Sequence, residues 1–280
     1  MTYKSMIVHL DNDRRCVDRI DIAARLALDF DAHLTGLYVL QQPHIPNYVR
    51  AEAGVEFIEG RLREWQVAQI ERMTTQFGAR TALAGVNSAE FRLSQQWPED
   101  AISLHARYAD LLILSQTDPD DSTAMMGSGF PGQAVLSSGR PVLLIPYGGN
   151  FPTIGTSVVV AWDASREAAR AVTDALPFLQ RAAKVSVLAV NPEVSATGHG
   201  EEPGADIALF LARHGVSVGA TRSQSGTVDI GAWLLSRAFD LQADLIVMGG
   251  YGHSRARELA FGGVTRSMLG EMTVPVLMSH

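Results

Sequence analysis

The sequence predicts an α/β chain built as two tandem open parallel-sheet domains, and three observations carry that prediction. Short apolar runs alternate with apolar residues at helical spacing, the pattern of βαβ units with parallel strands and helices on both faces. The central runs, Leu111–Leu114 and Leu245–Met248, are apolar without a break, as strands covered on both sides must be. The pattern also occurs twice. Ala109-Asp110-Leu111-Leu112-Ile113-Leu114 is matched by Ala243-Asp244-Leu245-Ile246-Val247-Met248, and Pro141–Ile145 by Pro275–Met278, each pair 134 residues apart. Equal spacing over that stretch marks a tandem duplication.

Each element follows in order. Met6–Leu10 reads as a buried strand ending in Asp11, and Val17, Ile20, Ala23, Ala24 and Ala27 then recur at helical spacing. A second strand spans Leu34 to Leu40. An insertion between Leu40 and Gly78, absent from the other copy, reads as mostly helical through Phe57, Leu62, Trp65, Ala68, Ile70 and Met73. Tyr147–Pro152 is turn-rich and aperiodic, which places the seam there. In the second copy Val158–Trp162 ends in Asp163, Ala168, Ala171, Val172 and Ala175 give the helix, and Val185–Val190 the next strand. A Gly/Glu/Pro-rich connection, 191–205, reads as a loop. The domains expected are 1–148, with its insertion within 41–77, and 153–280. Duplicated domains commonly replace a symmetric dimer, so packing about a pseudo-twofold axis is expected, with further homodimerisation left open.

Composition narrows the function classes. With 46% hydrophobic and 19% charged residues, the chain has a normal globular balance. No apolar run approaches the roughly 18–20 residues that span a bilayer, and the N-terminus shows no signal-peptide pattern. Neither membrane nor secretory placement is expected, and the cytoplasm is the natural location. Cys16 is the single cysteine, which excludes intrachain disulfides and cysteine-based zinc sites. A net charge of −7 argues against nucleic-acid binding, which relies on Lys and Arg, though not against one nucleotide in a local pocket.

The second copy carries the strongest chemical signal. Its apolar strand ends at Met248 and empties into Gly249-Gly250-Tyr251-Gly252, and Gly262-Gly263-Val264-Thr265 then opens a helical stretch. Glycines let backbone approach a ligand closely, and free amides at a helix N-terminus face an anion. The bland reading of the same glycines is tight turns and a crowded helix start. Thr265 and the amides of Gly263 and Val264 are expected to face phosphate, with His253, Arg255 and Arg266 nearby. Asp163, on the bland reading, is the N-cap of the helix that follows it.

These residues resemble the universal stress protein family in its tandem form, over almost the whole chain. Gly249, Gly252 and Gly262 match in register the loop G-x-x-G-x(9)-G-(S/T) of its ATP-binding members, while Gly263 departs from the final Ser/Thr. Asp163–Ala168 resembles the family's first strand-to-helix turn, and Val274–Met278 its last strand. The resemblance implies a Rossmann-like, five-stranded parallel sheet of the adenine nucleotide alpha hydrolase-like kind in each domain. It implies an adenine nucleotide at the carboxyl edge, where strand order reverses. On that basis the ligand is ATP, with AMP or ADP as alternatives, and Mg2+ accompanies ATP. Asp163 then lies near the ribose and adenine, Val190 ends the strand whose backbone reads adenine, and Met248 joins the binding residues.

The first copy argues the opposite case. Gly249 corresponds to Ser115, Gly252 to Asp118, Gly262 to Ser128 and Thr265 to Pro131, and only Gly263 keeps a glycine, Gly129. Asp118-Pro119-Asp120-Asp121 puts carboxylates where phosphate would sit, and like charges 4 Å apart repel by about 4 kcal/mol at intermediate dielectric. Pro131 also removes an amide from the helix start. Catalysis has little support: there is no nucleophile elbow, no His-Glu-x-x-His pair and no Walker lysine. The expected function is a stress-response protein that holds an adenine nucleotide without turnover and signals to a protein partner. The rivals are an interaction protein that binds no nucleotide, a weak ATPase, and a binder of an apolar ligand near Met125, Met126 and Phe130.

Overall fold

The computed structural model of the chain describes residues 2–40, 55–121, 127, 129–191, 204–223, 227–252 and 263–280. The first half runs β1 (Ser5–Leu10), α1 (Cys16–Phe30), β2 (His33–Val39), α2 (Val55–Ala84), β3 (Ala89–Ser94), α3 (Pro98–Ala106), β4 (Leu111–Ser115), α4 (Phe130–Ser137) and β5 (Val142–Ile145). The second runs β6 (Ser157–Trp162), α5 (Arg166–Asp174), α6 (Leu176–Leu179), β7 (Lys184–Val190), α7 (Ala205–Arg213), β8 (Val218–Ser223), α8 (Ile230–Asp240), β9 (Leu245–Gly249), α9 (Val264–Glu271) and β10 (Val276–Ser279). Pro177 breaks the helical segment after Asp174, so one sequence pattern gives two helices, α5 and α6.

The strands form one ten-stranded sheet in the order β3-β2-β1-β4-β5-β10-β9-β6-β7-β8. All pairs within a half are parallel, and the pair joining the halves, β5 with β10, is antiparallel. Its register sets Leu143 opposite Leu277, Val142 opposite Met278 and Leu144 opposite Val276. Leu143 thus faces its own duplicate, and Val142 and Leu144 each face the other's, as a local twofold axis beside Leu143 and Leu277 requires. The two expected domains share a sheet, because the duplicated edge strands satisfy each other's backbone groups.

Side chains alternate between two layers. Met6, Val8 and Leu10 face α1 and α2, whereas Ile7 faces the layer of α3 and α4; Val158 and Val160 oppose Val159 in the same way. The insertion helix α2 docks through Met73 and Phe77, while Phe57 is left exposed. Gly36 on β2 makes that docking possible, since a Cβ there would lie 2.7 Å from the Phe77 ring. Residues 41–54 of the insertion, and all of the expected loop between Asn191 and Gly204, lie outside the described residues. Among the described residues no helix is long and apolar enough to cross a membrane.

Strand order reverses between β1 and β4, and again between β6 and β9. Each half therefore has a crevice at the carboxyl ends of those strands, where neighbouring connections leave to opposite faces.

Candidate functional site

In the second half that crevice is a cavity of about 460 Å³. Its apolar walls are Ala161 and Trp162 from β6, Leu188 and Val190 from β7, Ile230 and Leu234 from α8, and Met248 from β9. Asp163, Gly249, Gly252, Gly263, Val264 and Thr265 complete the lining. Eight residues singled out from sequence (Asp163, Val190, Met248, Gly249, Gly252, Gly263, Val264 and Thr265) thus share one hollow. His253, Gly262 and Arg255 lie outside the described residues. The apolar wall from α8 was not read from the sequence; Ile230 and Leu234 sit at i and i+4, a spacing that also suits an ordinary core face.

The two glycine pairs play different parts. At Gly249 a Cβ would lie 2.6 Å from the Ala168 backbone nitrogen and 2.7 Å from the Glu167 carbonyl carbon, so glycine lets β9 press against the start of α5. Close packing already requires glycine there. Tyr251 takes a left-handed φ of 57°, and its amide donates to the Thr265 hydroxyl at 3.1 Å. Thr265, expected to face phosphate, is buried and ties the loop to α9. Helix α9 starts at Gly263 without a side-chain cap, and its earliest internal bonds are Arg266 N–H and Ser267 N–H to the Gly263 carbonyl, at 2.9 and 3.2 Å. The preceding amides, of Gly263, Val264 and Thr265, have no acceptor within the helix.

Asp163 is exposed at the mouth of the cavity. It is not the N-cap of α5. Ser165 is, accepting from the Ala168 amide at 3.1 Å, because Ala164 turns the chain through a φ of 61° and moves the cap two residues on. One Asp163 oxygen instead accepts the Ser165 hydroxyl at 2.6 Å and the Ser165 amide at 3.0 Å. Glu167, which the sequence did not single out, is buried beneath Gly252. Burial works to raise its carboxyl, but its own amide, Arg166 and His280 outweigh burial and hold it below the usual range. Asp229 caps α8 and accepts the Ser267 hydroxyl at 2.8 Å; that bond and the Ala232 amide keep its carboxyl low, and it joins α8 to α9.

The first half carries larger side chains at equivalent positions. The strand pairings make His9 the counterpart of Ala161 and Phe130 that of Val264. Their rings meet at a tilt of 47° with centroids 5.4 Å apart, both buried. Arg19, 1% exposed, donates to the His9 carbonyl at 2.8 Å, to Asp11 at 2.7 Å and to the Ser115 hydroxyl. Burial acts to raise the Asp11 carboxyl, but Arg19 and His9 hold it far below the usual range. Of the acidic loop, Asp121 is the residue that turns inward, accepting the Arg14 amide ahead of α1 at 2.9 Å. Pro131 lies in the first turn of α4, as expected. Phe130 belongs to this packed core, and Met125 and Met126 lie outside the described residues. Among the described residues no cluster of His, Cys, Asp or Glu is arranged to hold a metal.

Residues 156–280 match the universal stress protein family. Across its length the chain is similar to the crystal structure of a universal stress protein from Archaeoglobus fulgidus, with TM-score 0.69 and 14% identity over 98% of this chain and 95% of that one. It is similar also to a functionally unknown protein from Pseudomonas aeruginosa, with TM-score 0.59 and 15% identity over 99% and 92%. A universal stress protein in complex with cAMP overlaps 53% of this chain and 100% of its own, with 19% identity and TM-score 0.39. No curated protein sequence matches the chain. The second half thus carries a domain that matches the universal stress protein family, and the chain along its full length shares the fold of a two-domain universal stress protein.

Proposed function

We propose that the second half holds one adenine nucleotide, ATP or its mono- or diphosphate, as a retained signal in a stress response. The observation that carries this reading is the cavity of about 460 Å³, which joins an apolar slot, one carboxylate and a set of helix-start amides. Val190, Leu188, Met248, Ile230 and Leu234 offer a flat base the apolar surface it needs. Asp163 has acceptor capacity for ribose hydroxyls, and the amides of Gly263, Val264 and Thr265 suit phosphate. Asp163 is the single ionisable side chain among the described lining residues, which supports retention over phosphoryl transfer. Mg2+ would enter with ATP, on the phosphates. The first half, packed by His9, Phe130, Arg19 and Asp121, then serves as a structural lobe.

The test is mass spectrometry of what the denatured protein releases, with calorimetric titration of AMP, ADP and ATP. Nucleotide at a hundred times its Kd is expected to stabilise the fold by about 2.7 kcal/mol. Asp163→Ala is expected to weaken binding on the order of tenfold, the worth of a charge-assisted hydrogen bond. Flat titrations with all three nucleotides would refute the reading and favour an interaction protein without nucleotide.

A further inference from the structure

The segment that lines the nucleotide cavity on one side touches the first half on the other. Gly249 and Gly252 face the cavity, while Gly250 and Tyr251 between them face α4 of the first half. A Cβ at Gly250 would lie 2.8 Å from a Val135 methyl, and a Cβ at Gly132 would overlap the Tyr251 hydroxyl. Helix α9 is gripped at its other end. Gln116, 2% exposed at the end of β4, donates from Nε2 to the Leu269 and Gly270 carbonyls at 3.1 and 3.0 Å, and its Oε1 accepts the Tyr147 amide at 3.3 Å. Those carbonyls close the helix whose first residues, Val264 and Thr265, line the cavity.

We propose that Gly132 and Gln116 of the first half are positioning residues for the anion cradle of the second, so that ligand occupancy and the interface between the halves are coupled. The inference rests on the nucleotide reading above. Its physical basis is a short rigid chain of contacts. Gly132 leaves room for the Tyr251 ring, the Tyr251 amide is bonded to Thr265, and Thr265 sits in the first turn of α9. Gln116 holds the last turn of the same helix. The first half thereby acts as the seat on which the working loop is held.

The test uses the full chain and four proteins: wild type, Gly132→Ala, Gly132→Ala with Tyr251→Phe, and Gln116→Glu. The added methyl meets the end of a side chain, so Gly132→Ala is expected to fold and to displace Tyr251. ATP affinity should fall on the order of tenfold, and removing the hydroxyl in the double variant should restore it. Gln116→Glu replaces the donor by an acceptor facing carbonyls and should weaken binding similarly, well below its melting temperature. Hydrogen exchange of the Gly250 and Tyr251 amides without ligand gives an independent reading, expected to quicken in Gly132→Ala and return in the double variant. If folded Gly132→Ala binds ATP as wild type does, the coupling is overturned while the nucleotide reading stands. If wild type binds no adenosine phosphate, the nucleotide reading falls. Exchange then decides the positioning role: quickened and rescued rates support it, and unchanged rates overturn it.

Discussion

Asp13 sits where three carboxylates and one guanidinium converge. Burial, a hydrogen bond with Asp121 and the charge of Asp11 push its carboxyl up to about 7, against the lowering effect of Arg19. The unfolded carboxyl titrates near 4. Between those values the folded protein keeps a proton that the unfolded chain has lost, so this group's contribution is full below pH 4 and declines until about pH 7. Asp13→Asn is expected to remove that decline and to raise stability at pH 8 relative to wild type, read from urea midpoints across the range. A variant with the unchanged pH slope would show that another group is responsible. Asp11, held far below its usual range by Arg19 and His9, works in the opposite sense, keeping its stabilisation until strongly acid pH. The sequence shows Asp11 and Asp13 as acids between the first strand and its helix. It does not show that Arg19 reaches Ser115, 96 positions away, because only the fold brings the two together.

Elements were legible in proportion to how much of their surface the core claims. β1, β4, β6 and β9 lie inside the sheet and are apolar on both faces, so each announces itself within one residue or two of its end. β3 and β8 are the sheet's outer strands, and sequences such as Ala89-Glu90-Phe91-Arg92-Leu93-Ser94 keep a partly wet face, which blurs the apolar signal. Helix α2 was readable as helix. Its docking face was not, since Phe57, Val67 and Leu83 point outward while Met73 and Phe77 point in. The start of α5 shows how a single φ redirects a reading: Ala164 turns left-handed, so Ser165 caps and Asp163 supports the cap. Ser165→Ala should therefore lower stability by about 1 kcal/mol, seen as a shifted urea midpoint at constant slope. A shift below a few tenths would mean that Asp163 takes over the capping bond.

At the scale of the whole molecule the halves are joined by the β5–β10 ladder, by the seating of the glycine loop and α9 on α4 and Gln116, and by Phe178 packed against Tyr3 and Phe30, with the Tyr3 hydroxyl donating to the Asp174 carbonyl. Leu143 and Leu277, at the centre of the ladder, are fully buried. A shared core of this kind is expected to unfold in one transition, with van't Hoff and calorimetric enthalpies in agreement. Two separated calorimetric peaks would show that the halves come apart first. The sequence by itself determined the duplication, the parallel α/β class and the loss of the glycine loop from the first copy. Those are matters of period, spacing and residue type along the chain. Only the tertiary structure decided that the copies share a sheet, that Arg19 reaches His9, Asp11 and Ser115 while His9 meets Phe130, and that Gly249 is demanded by α5. Each of these depends on side chains far apart in sequence meeting at a few ångströms, and no local pattern encodes such a meeting.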